Sequence, residues 1–193
     1  MIMREIVKIV EAACKEPTNY FGHEIWSHHI LPAVKYSKSM AERFGADEEI
    51  VEIATLLHDY ASVKDHKLYE DHHIHGAKLA EGILKKYDYP SDRIEQVKKC
   101  ILSHRGSKLA QELTKEAVCV RDADSMAHFD SISALFYLAF FSHKMNVDEA
   151  NEWARQKLER SWNKLSPKAK DTIRDKYEAS KTLLQQPKMT LVR

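Results

Sequence analysis

The 193-residue chain has little of three residue types that would signal particular folds. Its three cysteines, Cys14, Cys100 and Cys119, are odd in number and widely spaced, with no Cys-x-x-Cys pair. That excludes a disulfide framework and a cysteine zinc ribbon, and the expectation is a reducing, cytoplasmic setting. Five glycines and five prolines are too few for a turn-rich β-sandwich. No apolar run approaches the ~18 residues of a membrane span, and Met1-Ile2-Met3-Arg4-Glu5 has no leader-like apolar core. Charge of one sign is lacking too. Thirty Lys and Arg stand against 29 Asp and Glu, for a formal charge of +1, so no broad nucleic-acid platform and no specific nucleic-acid partner are expected. With 44% hydrophobic and 31% charged residues, the composition is that of a soluble globular protein.

Helical periodicity runs almost throughout, and no linker, repeat or low-complexity tract divides the chain, which reads as one all-α domain over 1–193. The expected helices cover about 2–15, 28–44, 47–59, 72–87, 91–104, 114–128, 148–163 and 167–184. The second stops at Gly45, and Pro32 sits early in it. Asp47 and Ser91 are the expected N-caps of the third and fifth helices, and Gly106 the breaker after the fifth. Ser166-Pro167 starts the last helix, and the tail after Gln186 is expected to fray. The apolar stretch from Ile132 to Phe141 is too short to span a bilayer and reads as core or as a homodimer interface. Trp153, Trp162 and the surrounding charges read as an amphipathic packing helix.

What is abundant is histidine: eleven residues, all but His143 falling between His23 and His128. Several interrupt apolar stripes. His29 begins a stripe with Ala33, Tyr36, Met40 and Phe44, and His58 continues Ile50, Ile53, Ala54 and Leu57. His104 follows Ile94, Val97 and Ile101, and Asp124 lies between Ala117, Val120 and Ala127. Spacings of three, four and seven put each on a face that should be dry. One such histidine is ordinarily a core imidazole bonded to a backbone carbonyl, and Asp124 alone could pair with Arg121. Four helices each carrying one are explained together by a divalent cation where the faces converge, since isolated buried polar groups are costly. In Leu56-Leu57-His58-Asp59 the two polar neighbours point about 100° apart, so an ion they share must lie over the edge between them.

This constellation resembles the HD-domain superfamily of metal-dependent phosphohydrolases over about residues 20–145, leaving a C-terminal helical extension over about 146–186. The superfamily's first histidine fits His29, with His28 as the alternative; its paired ligand fits His58-Asp59, and its closing aspartate fits Asp124 in Arg121-Asp122-Ala123-Asp124-Ser125-Met126. Asp71-His72-His73-Ile74-His75-Gly76-Ala77 and Leu102-Ser103-His104-Arg105-Gly106 resemble the segments of members with a second metal, His72 fitting better than His73. The stretch Tyr60-Ala61-Ser62-Val63-Lys64-Asp65 departs from the auxiliary residues of several subgroups, so the resemblance names no substrate. The missing Gly-Tyr-Pro signature argues against a cyclic-di-GMP phosphodiesterase.

The resemblance implies an all-α bundle and a first ion on His29, His58, Asp59 and Asp124. A second ion would sit on His72 and His104, with Asp59 bridging. Such ligands suit Mn, Fe, Co, Ni or Zn, and Mg less well as histidines accumulate. A metal-activated water would attack phosphorus in a small phosphorylated metabolite or nucleotide. Arg105, with Lys64 and His73 as further candidates, would bind phosphate. Asp122 or Asp65 would orient water or an imidazole. A di-iron oxygenase on the same scaffold and a non-catalytic nucleotide- or metal-binding regulatory module are the alternatives. No zinc-protease helix, Walker loop, dinucleotide fingerprint or nucleophile elbow occurs.

Overall fold

The computed structural model describes residues 2–105 and 113–185, and among these the chain is helical with no strand. Helix α1 (Ile2–Lys15) buries Ile6, Val10 and Cys14, spaced four apart along one face. α2 (Leu31–Phe44) ends at Gly45, whose left-handed φ of 59° is the backbone that a residue without Cβ adopts freely. α3 (Glu48–Leu57) is the central element, buried on nearly every side, and packs against α1, α2, α6 (Ser91–Ser103) and α7 (Lys115–Ala127). Each large aliphatic side chain that α3 buries stabilises the fold by about 1.5–3 kcal/mol. Asp47 caps α3 by accepting from the Ile50 N–H at 3.1 Å, while Arg93 on α6 holds the same carboxylate in a fork at 2.9 and 3.0 Å.

α5 (His72–Lys85) and α6 pair as an antiparallel hairpin through Ala77, Ala80 and Leu84 against Ile94, Val97 and Ile101. Gly76 makes that approach close. A Cβ there would stand 3.3 Å from Ile101 Cγ2 and 3.4 Å from the His58 carbonyl oxygen. Two further helices, α9 (Val147–Lys164) and α10 (Pro167–Leu183), pack on α7, with α9 presenting Ala150, Ala154, Leu158 and Ser161. Trp162 and Tyr177 stack between α9 and α10 with centroids 4.0 Å apart.

Several local expectations are corrected. The Asp59 backbone, at φ −102° and ψ 2°, leaves helical geometry, and α4 (Tyr60–Lys64) starts anew beyond it. The second helix proper begins at Leu31, preceded by one wide π turn over Trp26–Ile30 that carries His28 and His29. Pro32, lacking an N–H, cannot close an ordinary α turn onto His28. Pro90, not Ser91, occupies the cap position of α6, and the Ser91 side chain makes no capping bond. The apolar stretch folds as α8 (Ile132–Tyr137) and a second π turn, Leu138–Ser142. Leu135 and Ala139 are buried, but Phe140 and Phe141 are exposed. Gly106 and the tail after Gln186 lie outside the described residues. Among the described residues no helix is long and apolar enough to cross a membrane.

Candidate metal centre

Five helix ends and faces deliver histidine and aspartate side chains to one place. His29 comes from the π turn before α2, and His58 and Asp59 from the break after α3. His72 stands at the start of α5, His104 just beyond α6, and Asp124 on α7. The break at Asp59 solves the problem posed by adjacent helical positions. His58 and Asp59 do not point 100° apart here, and the His58 Nε2 lies 3.3 Å from Asp59 Oδ2.

The two carboxylate oxygens of Asp59 face different histidines. Oδ2 is 3.3 Å from His29 Nε2 and 3.3 Å from His58 Nε2, whereas Oδ1 is 3.3 Å from His72 Nε2. Asp124 Oδ1 joins the first group, 3.4 Å from His29 Nε2 and 3.7 Å from His58 Nε2. His104 joins the second, its Nε2 2.9 Å from that of His72. Donor atoms of His29, His58 and Asp59 thus form one cluster that could hold an ion, and those of Asp59, His72 and His104 another.

The donor chemistry fits cations. The Nδ1 atoms of His58, His72 and His104 each lie 2.6 Å from the carbonyl oxygen of the residue three earlier (Thr55, Tyr69 and Ile101). This pattern assigns the proton to Nδ1 and turns the Nε2 lone pair inward. Burial, with His58 nearby, pushes the His104 pKa down to about 3, so this ring is neutral near pH 7. The Nε2 atoms of His72 and His104 meet at 2.9 Å, a contact that a shared cation would satisfy. Burial opposes charge on His29 and His58, yet the neighbouring Asp59 and Asp124 outweigh it and raise both pKa values. The same contacts hold Asp59 and Asp124 well below the usual carboxylate range despite their burial. Without a cation, the carboxylates keep protons on these two imidazoles as counter-charge.

The centre forms the floor of a cavity of about 460 Å³. Arg105 lines it, donating to the Glu70 carbonyl and lying 3.7 Å from the Glu70 carboxylate. His28 is on the lining but outside the cluster, its Nδ1 2.8 Å from Ser27 Oγ and 3.2 Å from the Glu24 carbonyl. The other predicted residues do not converge. Lys64 is exposed, its ammonium 5.9 Å from the Tyr60 ring centroid, because α4 turns it outward from the centre. His73 packs edge-on to His72 with its Nδ1 buried and unpaired, and it does not line the cavity. Asp122 points away and accepts from the Ser166 N–H at 3.0 Å and from the Ser166 hydroxyl, tying α7 to the start of α10. Asp65 accepts from the Lys67 N–H at 3.0 Å.

Two contributions escaped the sequence reading. His128, one turn after Asp124, stacks on His29 with centroids 4.9 Å apart and places its Nδ1 3.1 Å from Ser161 Oγ. With His29 and Asp124 it forms a third candidate ligand group. Burial, then Lys157, lowers its pKa well below the ordinary histidine value. The spacing of four from Asp124 was the available signal. From α9, Trp153, Lys157, Arg160 and Lys164 also line the cavity, together with Phe21, His66, Tyr69 and Tyr137.

Comparison with known proteins finds the same fold in solved structures. A crystal structure of the Lin1889 protein from Listeria innocua shares 21% identity at a TM-score of 0.67, covering 95% of this chain and 92% of that one. A predicted HD superfamily hydrolase from an uncultured Thermotogales bacterium shares 25% identity at a TM-score of 0.53, covering 83% and 84%. Bacillus subtilis YpgQ, solved in complex with ADP, shares 18% identity at a TM-score of 0.66, covering 94% and 93%. No curated protein sequence matches. The family model for the HD domain matches residues 26–128, a span that opens at the π turn bearing His29 and closes at His128. With its histidines and aspartates gathered inside that span, the chain belongs to the HD domain family.

Proposed function

We propose that this chain is a metal-dependent phosphohydrolase acting on a nucleotide or a similarly small phosphorylated metabolite. The observation that carries the reading is Asp59, whose two oxygens each lie 3.3 Å from histidine nitrogens of separate clusters on the floor of one cavity. His29, His58, Asp59 and Asp124 would hold one divalent ion, and Asp59, His72 and His104 a second. Ions held there would neutralise phosphate charge and make a water nucleophilic near neutral pH.

The remaining steps belong to side chains. The carbonyls of Thr55, Tyr69 and Ile101 fix His58, His72 and His104 in the ligating tautomer. Glu70 engages part of the Arg105 guanidinium and holds it at the cavity wall, leaving other N–H groups free for phosphate oxygens. Aromatic side chains of Phe21, Tyr69, Tyr137 and Trp153 line the same cavity and suit a flat base or another ring. The ADP bound by the Bacillus subtilis relative favours a nucleotide.

The test is phosphate release from a panel of nucleotides and sugar phosphates with Mn, Co, Ni, Zn or Mg. Release that depends on added metal and disappears in Asp124→Ala is expected. Oxygen consumption by iron-loaded protein without phosphate release would replace this reading with the oxygenase. Ligand binding with neither reaction would leave a regulatory module.

A further inference from the structure

Helix α9 lies outside the matched HD span, and its sequence is unusual on the face it turns to the cavity. Trp153, Lys157, Arg160 and Lys164 follow spacings of four, three and four, so they share one face, and all four line the cavity. Ala150, Ala154, Leu158 and Ser161 occupy the neighbouring face and are buried. The three cations are neighbours at i,i+3 and i,i+4 and repel one another.

Elsewhere on α9 and α10 several exposed cations sit one turn from an acid, and Lys176 pairs with Asp130. Arg155 pairs with Glu152 at 2.7 Å, Arg174 with Asp171 at 3.0 Å and Lys181 with Glu178 at 3.3 Å. Lys157, Arg160 and Lys164 have no Asp or Glu three or four residues away in either direction. Among the described residues none of the three forms an ion pair within 4 Å or a hydrogen bond with a side chain, although Asp124 and Asp59 attract Lys157 from farther off. Glu159, the nearest acid in sequence, accepts instead from the Tyr177 hydroxyl at 3.0 Å. The Asp124 and Asp59 carboxylates attract Lys157, but Lys164 and Arg160 oppose its charge, and an anion in the space before the three cations would relieve that repulsion. Together with Arg105 they exceed what one phosphate group, itself placed at the metal centre, requires.

We infer that the α9 face of Lys157, Arg160 and Lys164 binds the phosphate groups beyond the one at the metal centre, and so selects substrates carrying a diphosphate or longer chain over monophosphates. The inference rests on the proposed reaction for the location of the scissile phosphate. The selecting element is thus carried by the C-terminal extension, outside the ligand-bearing core. No covalent step is added, since these side chains act by charge-assisted hydrogen bonding alone.

Hydrolysis-resistant phosphonate analogues of ADP and AMP, titrated calorimetrically into the Mn-loaded full chain, test this without turnover. The wild-type protein should bind the ADP analogue at least about tenfold more tightly than the AMP analogue, and K157Q/R160Q/K164Q should bring the two within about twofold. Metal content of the triple variant should be unchanged. A wild-type ratio near one, or a triple variant that keeps the wild-type ratio, overturns the inference. Should the triple variant fail to fold, R160Q and K164Q singly, at the cavity rim, should each reduce the ratio severalfold; unchanged ratios in both overturn it. The two readings part cleanly. Loss of the ratio in a protein that releases no phosphate from any substrate keeps the α9 face and removes the hydrolase. Metal-dependent phosphate release with a ratio indifferent to α9 does the reverse.

Discussion

Replacing Asp59 with asparagine isolates the shared carboxylate, because the side chain keeps its shape and loses its charge. Asp59 Oδ2 lies 3.3 Å from the nitrogens of His29 and His58, and Oδ1 3.3 Å from that of His72, so one substitution touches both candidate ion sites. Removing one partner of a buried charge pair costs about 3–5 kcal/mol, so metal affinity should fall by at least about a hundredfold at both sites. His104→Gln, by contrast, removes a ligand from one cluster only and should leave one ion bound. Manganese calorimetry with elemental analysis after gel filtration separates the outcomes, with circular dichroism to confirm the helical fold. Two equivalents bound to Asp59→Asn with wild-type affinity would refute the shared-carboxylate geometry.

Four further outcomes are expected. Because His29 and His58 titrate above the usual 6.5, they carry protons near neutral pH that an incoming cation must displace; metal affinity should rise with pH above 6.5. Calorimetry in buffers of different ionisation heat checks this, and heats independent of buffer at pH 7 would contradict it. Gly76→Val should cost about 1–3 kcal/mol in thermal or denaturant unfolding, since its Cβ would already crowd Ile101 and the His58 carbonyl. Arg105→Ala should retain metal and raise KM about tenfold or more, while Lys64→Ala, at an exposed position off the cavity, should change neither. Asp47→Ala should lower stability by about 1–2 kcal/mol through the lost cap and the lost Arg93 fork, with metal content untouched.

Four of the histidines and aspartates that gather in the structure broke apolar periodicity in the sequence. A polar group on a buried helical face needs a partner, and that need is visible without coordinates. His29, His58, His104 and Asp124 stood out this way, whereas His72 was reached through its place before Gly76 in the resemblance. The end of the third helix near Asp59 was legible, but the new helix starting at Tyr60 was not, because it depends on a backbone conformation that the sequence marks with neither glycine nor proline. His128 breaks no apolar stripe by itself, and only the helical register that puts it one turn after Asp124 brings it to the centre. Lys157, Arg160 and Lys164 were absorbed into a general impression of an amphipathic helix. Their missing acidic neighbours were there to be counted, but which face of α9 meets the cavity is decided by tertiary packing. Lys64 failed for the opposite reason: proximity in sequence to His58-Asp59 did not survive the new helix that starts at Tyr60.

Anomalous scattering from crystals grown with manganese tests the central claim most directly. Two peaks are predicted, one on each side of the Asp59 carboxylate, the first among His29, His58 and Asp124 and the second between His72 and His104. An absence of bound manganese among these side chains, or peaks that leave Asp59 uncoordinated, would contradict the account.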